Sequence, residues 1–156
     1  MMRPVAIAIA DAARARVFTF TRLDDDAPLA LHERADLVSP ERRVRPRELW
    51  TDARPRGNPN PSGHGDPVDD HREDHLAEVD RRFAAEVVQQ LAAVADATGA
   101  VRVALVASPR FLGHLREHAG PLYQRGLTVE EVARDLTRED PRELRAHLGQ
   151  LGVLPV

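Results

Sequence analysis

The stretch from Val101 to Gly120, VRVALVASPRFLGHLREHAG, constrains the fold more than any other part of the chain. A short apolar run inside it is typical of a strand covered on both faces, and consists of Val101, Val103, Leu105 and Val106. Ser108 can cap a helix and Pro109 is favoured at its first position, so we expect a helix to about Ala119. The turn between this strand and this helix is short, so Arg110 is expected at the carboxyl edge of a sheet. Open α/β sheets usually bind ligands at that edge.

Three short segments before this stretch predict an antiparallel β-meander, because tight turns separate them. The predicted strands are Val5–Ala10, Arg14–Thr21 and Leu29–Val38. A long helix is expected from Asp69 to about Thr98, since apolar residues recur there at spacings of three and four. The predicted apolar stripe consists of Leu76, Val79, Phe83, Val87, Leu91 and Val94 or Ala95. Asp140 and Pro141 open a last helix.

The order of elements predicts an α/β fold, with one domain over residues 1–156. We expect a mixed sheet in which a β-meander is followed by helix, strand and helix, of the ribonuclease-H-like type. The segment from Leu127 to Leu136 fits a helix by its apolar spacing, and an edge strand is nearly as defensible by its length. Residues 39–68 are rich in Arg, Pro and Gly, and we expect them to form a long flexible loop.

Composition excludes several classes of function. The chain has no cysteine, so it has no disulfides, no thiolate zinc site and no cysteine nucleophile. No apolar stretch is long enough to span a membrane, and the first residues are too few and too polar for a signal peptide. We therefore expect a cytoplasmic protein without a membrane partner. The net charge of −3 gives no overall attraction to nucleic acid.

Local basic charge indicates an anion-binding surface. From Glu41 to Arg56 there are six arginines against three acidic residues. The planar guanidinium group suits phosphate, although these arginines could instead neutralise the acidic start of the long helix, and Arg110 could pair locally. The candidate set for binding RNA or another anion is Arg14, Arg42, Arg43, Arg45, Arg47, Arg54, Arg56 and Arg110.

Two metal sites can be considered from residue types alone. His71 and His75 share a helical face, and with His64 they could hold zinc, although solvent-facing residues at a helix start are the favoured interpretation. Asp11 ends the first strand, where an acid could bind magnesium. One aspartate cannot make a two-metal site, so a turn-forming role is favoured for it. We expect no metal and no cofactor.

Four segments in order along the chain form a recognisable set: ADAARARVF (Ala10–Phe18), DLVSPERR (Asp36–Arg43), SPRFLGHLRE (Ser108–Glu117) and ARDLTREDPREL (Ala133–Leu144). Taken together they resemble the bacterial host attachment protein family, which is described as a bacterial relative of the archaeo-eukaryotic peptide release factors. The resemblance implies a fold like the middle domain of the release factor. It also favours an edge strand in the Leu127–Leu136 segment, and it implies the ribosome or tRNA as partner.

The resemblance also bears on catalysis. Release factors carry a Gly-Gly-Gln loop just before a long helix, and the matching tip here is Gly63, His64 and Gly65. The glutamine is absent, and His64 would have to act as general base if the chain hydrolyses an ester. The favoured hypothesis is therefore a translation-associated RNA- or ribosome-binding domain without enzyme activity. A non-enzymatic protein-interaction module linked to host attachment comes second, and a peptidyl-tRNA ester hydrolase third.

Overall fold

A five-stranded mixed sheet forms the centre of the molecule, in a computed structural model that describes residues 3–42 and 67–155. In chain order the elements are β1 (Val5–Ala10), β2 (Arg14–Thr21), β3 (Ala30–Val38), α1 (Pro67–Thr98), β4 (Arg102–Ala107), α2 (Pro109–Glu117), α3 (Gly120–Gln124), β5 (Thr128–Ala133) and α4 (Pro141–Gln150). A helical turn at residues 40–42 follows β3.

The strand order across the sheet is β3-β2-β1-β4-β5. β1 pairs antiparallel with β2, and β2 with β3, which confirms the predicted meander. β4 joins β1 in parallel, and β5 joins β4 in parallel, so the sheet is mixed as expected. All six residues of the central strand β1 are buried, because its small and β-branched side chains fit between two helical layers. The narrower ribonuclease-H-like and release-factor-like assignments stay predictions.

Helices cover both faces of this sheet. On one face α1, α2 and α3 pack against the alanines of β1. On the other face α4 and the residues after it, Val153 and Leu154, pack against Ile7 and Ile9. None of the helices in the described part of the chain is long and apolar enough to cross a lipid bilayer.

The long helix α1 begins at Pro67, two residues before the predicted Asp69, and ends at Thr98 as predicted. The predicted apolar stripe is buried from Val79 onward, whereas Leu76 is only partly buried. The 32 residues span about 48 Å at about 1.5 Å per residue, against about 20 Å for a six-residue strand. Gly99 adopts a positive φ of 75° and turns the chain toward β4, so α1 ends at the amino side of that strand. Its first turns therefore extend past the carboxyl ends of the parallel strands.

The ambiguous segment from Leu127 to Leu136 contains the strand β5, so the edge-strand interpretation is confirmed and the helical one is wrong. The apolar spacing suggested one helical face, but Val129 and Val132 lie on opposite faces of the sheet. Val129 packs against the core beneath α1, and Val132 against the core beneath α4. In a strand paired with β4, successive side chains point to opposite faces, so both valines pack against a hydrophobic core.

Two details around α2 differ from expectation. This helix ends at Glu117 rather than near Ala119, and the short helix α3 follows. Pro121 stands in the first turn of α3, a position that favours proline. Ser108 precedes α2 as expected, but its hydroxyl makes no capping hydrogen bond.

The start of α4 carries a complete capping box. The carboxylate of Asp140 accepts a hydrogen bond from the backbone N–H of Glu143, and the Glu143 carboxylate accepts one from the backbone N–H of Asp140. We expect Asp140→Ala to lower the free energy of unfolding by about 1 kcal/mol, because the first turn loses an acceptor for its free N–H groups. Urea denaturation measures this. Glu117→Ala, an exposed site at the end of α2, is the control and should cost nothing; equal stabilities for both variants would contradict the prediction.

Candidate functional site

The three parallel strands end in one row, at the carboxyl edge of the sheet. Ala10 of β1 pairs with Ala107 of β4, and Ala107 pairs with Ala133 of β5. The residues that follow them are Asp11, Ser108 and Arg134, so three connections meet here. This edge, with the β1–β2 turn, the start of α2 and the β5–α4 loop, is the candidate site, as open α/β sheets lead one to expect.

Asp11 organises the β1–β2 turn. Its Oδ1 accepts hydrogen bonds from the backbone N–H groups of Ala13 and Arg14, each at 2.8 Å. Its Oδ2 lies 3.1 Å from the hydroxyl of Thr137, on the β5–α4 loop. The favoured turn-forming role is therefore confirmed, and the same side chain ties two of the three connections together.

A metal site finds no support among the described side chains. No three His, Asp or Glu residues of that part of the chain are grouped as ligands. His75 Nε2 lies 3.1 Å from Glu41 Oε2 at the surface, in keeping with a solvent-facing histidine. The third proposed zinc ligand, His64, lies outside the described residues.

The β5–α4 loop rests on a buried arginine that was not among the predicted site residues. Arg16, in β2, is 7% exposed. Its guanidinium Nη1 donates to the carbonyl oxygens of Glu139 at 2.6 Å and Thr137 at 3.3 Å. Its Nε and Nη2 donate to the two carboxylate oxygens of Glu33 at 3.1 and 3.2 Å. The available signal was that Arg16 lies in line with Phe18 and Phe20, the two aromatic residues that follow it on the same strand face.

Two of the predicted anion-binding arginines are engaged with carboxylates of the chain itself. Arg14 binds Asp36 in a bidentate pair, with Nε–Oδ1 and Nη2–Oδ2 distances of 2.9 and 2.6 Å. Arg42 binds Asp80 of α1 in the same way, at 3.0 and 2.9 Å. The hydrogen bonds to these carboxylates raise the pKa of both guanidinium groups above the usual arginine value. Both guanidinium groups therefore hold parts of the fold together, β2 to β3 for Arg14 and the turn after β3 to α1 for Arg42.

Three arginines at the carboxyl edge have their guanidinium groups open to solvent. Arg110 lies in the first turn of α2, and Arg134 and Arg138 lie on the β5–α4 loop. All three are exposed, and none forms an ion pair with a carboxylate of the described residues. Of the predicted set, Arg110 alone among the described members is free in this sense. Arg134 and Arg138 were missed, because their shared edge appears only once β5 is known to be a parallel strand.

The remaining predicted site residues lie outside the described residues. They are Arg43, Arg45, Arg47, Arg54, Arg56, Gly63, His64 and Gly65. The hypothesis of ester hydrolysis by His64 accordingly stays a prediction.

Comparisons with known proteins give one family. A model of the family described as "Protein required for attachment to host cells" matches residues 6–148. A search of the curated proteins found no match. Among solved structures, the chain is similar to the type II variant of the Aquifex aeolicus Ppx/GppA phosphatase, at 16% identity and a TM-score of 0.42. That similarity covers 84% of this chain and 36% of the other, so the chain spans about a third of its length. The relationship to release factors stays a prediction.

Proposed function

The chain belongs to the family of proteins required for attachment to host cells, and from that premise we propose that it is a non-enzymatic domain that binds RNA through its carboxyl edge. The proposed partner is ribosomal RNA or tRNA, in the cytoplasm, as the resemblance to release factors suggests. The family description names a requirement of the organism, and an RNA-binding protein can meet such a requirement from inside the cell.

The observation that carries the proposal is the set of three open arginines, Arg110, Arg134 and Arg138. Each guanidinium group offers a planar fork of N–H donors that matches a phosphate group. Because no described carboxylate competes for them, a phosphate can bind without first breaking an ion pair. Two connections of the sheet supply the three, so one backbone could contact them together.

The anchoring of the edge supports the same proposal. The β5–α4 loop carries two of the three arginines, and the bonds of Arg16 and Asp11 to Thr137 hold this loop against the sheet. A loop that is already ordered loses little conformational entropy when it binds. Arg14 and Arg42 are left out of the proposed RNA site because they are bonded to Asp36 and Asp80. Neither arginine can contact phosphate without giving up such a bond.

The test removes the three open charges together. We expect the triple variant Arg110→Ala, Arg134→Ala, Arg138→Ala to bind labelled tRNA roughly tenfold more weakly at low salt, and its log affinity to fall less steeply with log salt, by about 2 in slope. Fluorescence anisotropy over a salt series measures both, and co-sedimentation with purified ribosomes checks the larger partner.

A control removes three arginine charges from the opposite edge, where Arg125 is paired with Asp96 and Arg22 donates to the carbonyl of Ala27. Arg3 precedes β1, Arg22 follows β2 and Arg125 precedes β5, so all three lie at the amino edge of the parallel strands. Alanine at these positions should leave the affinity for tRNA within about twofold of the native value. An equal loss in both triple variants, or no binding by the native chain even at low salt, would overturn the proposal.

The family description favours a second candidate function, a protein-interaction module that takes part in host attachment directly. It predicts that the native protein is found outside intact cells. Detection in the extracellular fraction, with a cytoplasmic marker to exclude lysis, is the measurement that would favour it over RNA binding.

A further inference from the structure

The turn between β2 and β3 presents an apolar side chain next to three acids. Leu23 is 66% exposed, the largest exposure among the large hydrophobic residues of the described chain. Asp24, Asp25 and Asp26 follow it and are also exposed. The turn is ordered by its own bonds: Asp24 Oδ1 accepts from the backbone N–H of Asp26 at 2.9 Å, and Arg22 Nη1 donates to the carbonyl of Ala27 at 2.7 Å. We call residues 23–26 the acidic turn.

The outer face of α4 presents the complementary chemistry. A shallow groove of about 460 Å³ lies there, lined by Arg142, Arg145, Ala146, Gly149 and Gln150. Its floor is apolar because alanine, glycine and the aliphatic stems of the arginines form it. Neither Arg142 nor Arg145 pairs with a carboxylate of the described residues, and the Arg145 guanidinium lies 4.8 Å from the centre of the Phe20 ring. We call this feature the α4 groove.

From these two surfaces we infer that the chain self-associates, with the acidic turn of one copy bound in the α4 groove of another. Leu23 supplies an apolar side chain that packs on the apolar floor, and Asp25 and Asp26 supply carboxylates for the two arginines. Within one chain Leu23 stays exposed, so a copy's own groove does not take it up. The carboxylates and guanidinium groups are charge-complementary, and that complementarity selects this occupant over an apolar peptide.

The positions of the two surfaces favour a closed pair. Arg145 lies over Phe20, and Leu23 follows Phe20 by only three residues, so turn and groove are neighbours on the α4 side of the molecule. A two-fold axis next to them would place each turn on the other copy's groove, which makes two equal contacts and leaves none open. Two small contacts make a weak dimer, so we expect a dissociation constant in the micromolar range or above.

Charge reversal tests the inference with the full chain. One variant carries Asp25→Arg and Asp26→Arg, and the other carries Arg142→Glu and Arg145→Glu. Sedimentation velocity over the micromolar range should show dimers of the native chain and monomers of each variant, because like charges then meet in both contacts. An equimolar mixture of the two variants should dimerise again, since each turn then meets a groove of opposite charge.

Milder variants keep the inference falsifiable if a double reversal disturbs folding. Leu23→Ala and Arg142→Glu, each made alone, should weaken dimerisation at least about fivefold. The control Arg82→Glu, at an exposed position of α1, should not change dimerisation. A native chain that stays monomeric, dimers indifferent to the reversals, or a mixture that fails to re-associate would each overturn the inference. A monomeric chain whose α4 groove instead binds an acidic segment of another protein would do so as well.

Discussion

Replacing Arg42 with alanine should lower the free energy of unfolding by about 3 kcal/mol, which is a large share of the stability of a domain this size. Asp80, its partner on α1, is 3% exposed, and both carboxylate oxygens accept hydrogen bonds from this arginine. Without Arg42 both carboxylate oxygens would lose their donor in a place that water hardly reaches, and a buried carboxylate without a partner is costly. Urea denaturation, followed by circular dichroism, measures the loss.

The partner variants show whether the cost comes from the isolated charge. Arg42→Ala combined with Asp80→Ala should recover part of the stability, since no uncompensated carboxylate remains. Arg82→Ala is the control. Arg82 is exposed and lies on α1, as Asp80 does, so its loss should change the free energy of unfolding by about 0.5 kcal/mol or less. An Arg42→Ala protein as stable as this control would show that Asp80 is satisfied in some other way.

This pair also affects how RNA-binding experiments are interpreted. Arg42 belongs to the basic segment that the sequence presents as an anion-binding arm, so it is an obvious target for alanine substitution. If the variant is partly unfolded, its weaker RNA binding reports the loss of the fold and not the loss of a phosphate contact. The open arginines Arg110, Arg134 and Arg138 avoid this ambiguity, because none of them is tied to a described carboxylate.

The sequence predicted those parts of the fold that local patterns determine. β1 and β2 have the predicted bounds, and the capped start of α4 lies where Asp140 and Pro141 placed it. The short helix α3 was missed because Gly120 and Pro121 are equally compatible with a stop and with a new first turn. The strand character of Leu127–Leu136 followed from the family resemblance, since only pairing with β4 separates it physically from a helix.

The candidate site was predictable only in part, because the state of an arginine depends on distant partners. Arg14 and Arg110 look alike in the sequence, yet one binds Asp36 and the other is open. Arg16 shows how strand register determines which carboxylate an arginine meets. An irregularity in the β2–β3 pairing, between Val17 and Phe18, puts Glu33 opposite Phe18 and within reach of Arg16. No local pattern specifies such an irregularity, so the sequence alone could not separate structural arginines from available ones.

Arg16→Ala should be the other strongly destabilising change, with a loss of about 3 kcal/mol in the free energy of unfolding. Four hydrogen bonds disappear with the guanidinium group, which also lies 4.9 Å from the centre of the Phe18 ring. The carbonyl oxygens of Thr137 and Glu139 would lose the donor that reaches them from 121 and 123 residues away. Arg14→Ala on the same strand is the matched control. Its pair with Asp36 is exposed, so we expect a cost of about 0.5 kcal/mol.

The Arg16 substitution also separates anchoring from charge in the proposed RNA site. Arg16 is buried and contacts no phosphate in the proposal, but it holds the loop that carries Arg134 and Arg138. In conditions where the variant is still folded, amide hydrogen exchange should speed up in residues 134–140 before other parts of the sheet. RNA affinity should then fall while the slope of log affinity against log salt stays near the native value, because the same number of phosphates is contacted at a larger entropic cost. A slope reduced as far as in the triple variant would mean that Arg16 meets the RNA itself, and unchanged exchange in the loop would mean that Arg16 is not its anchor.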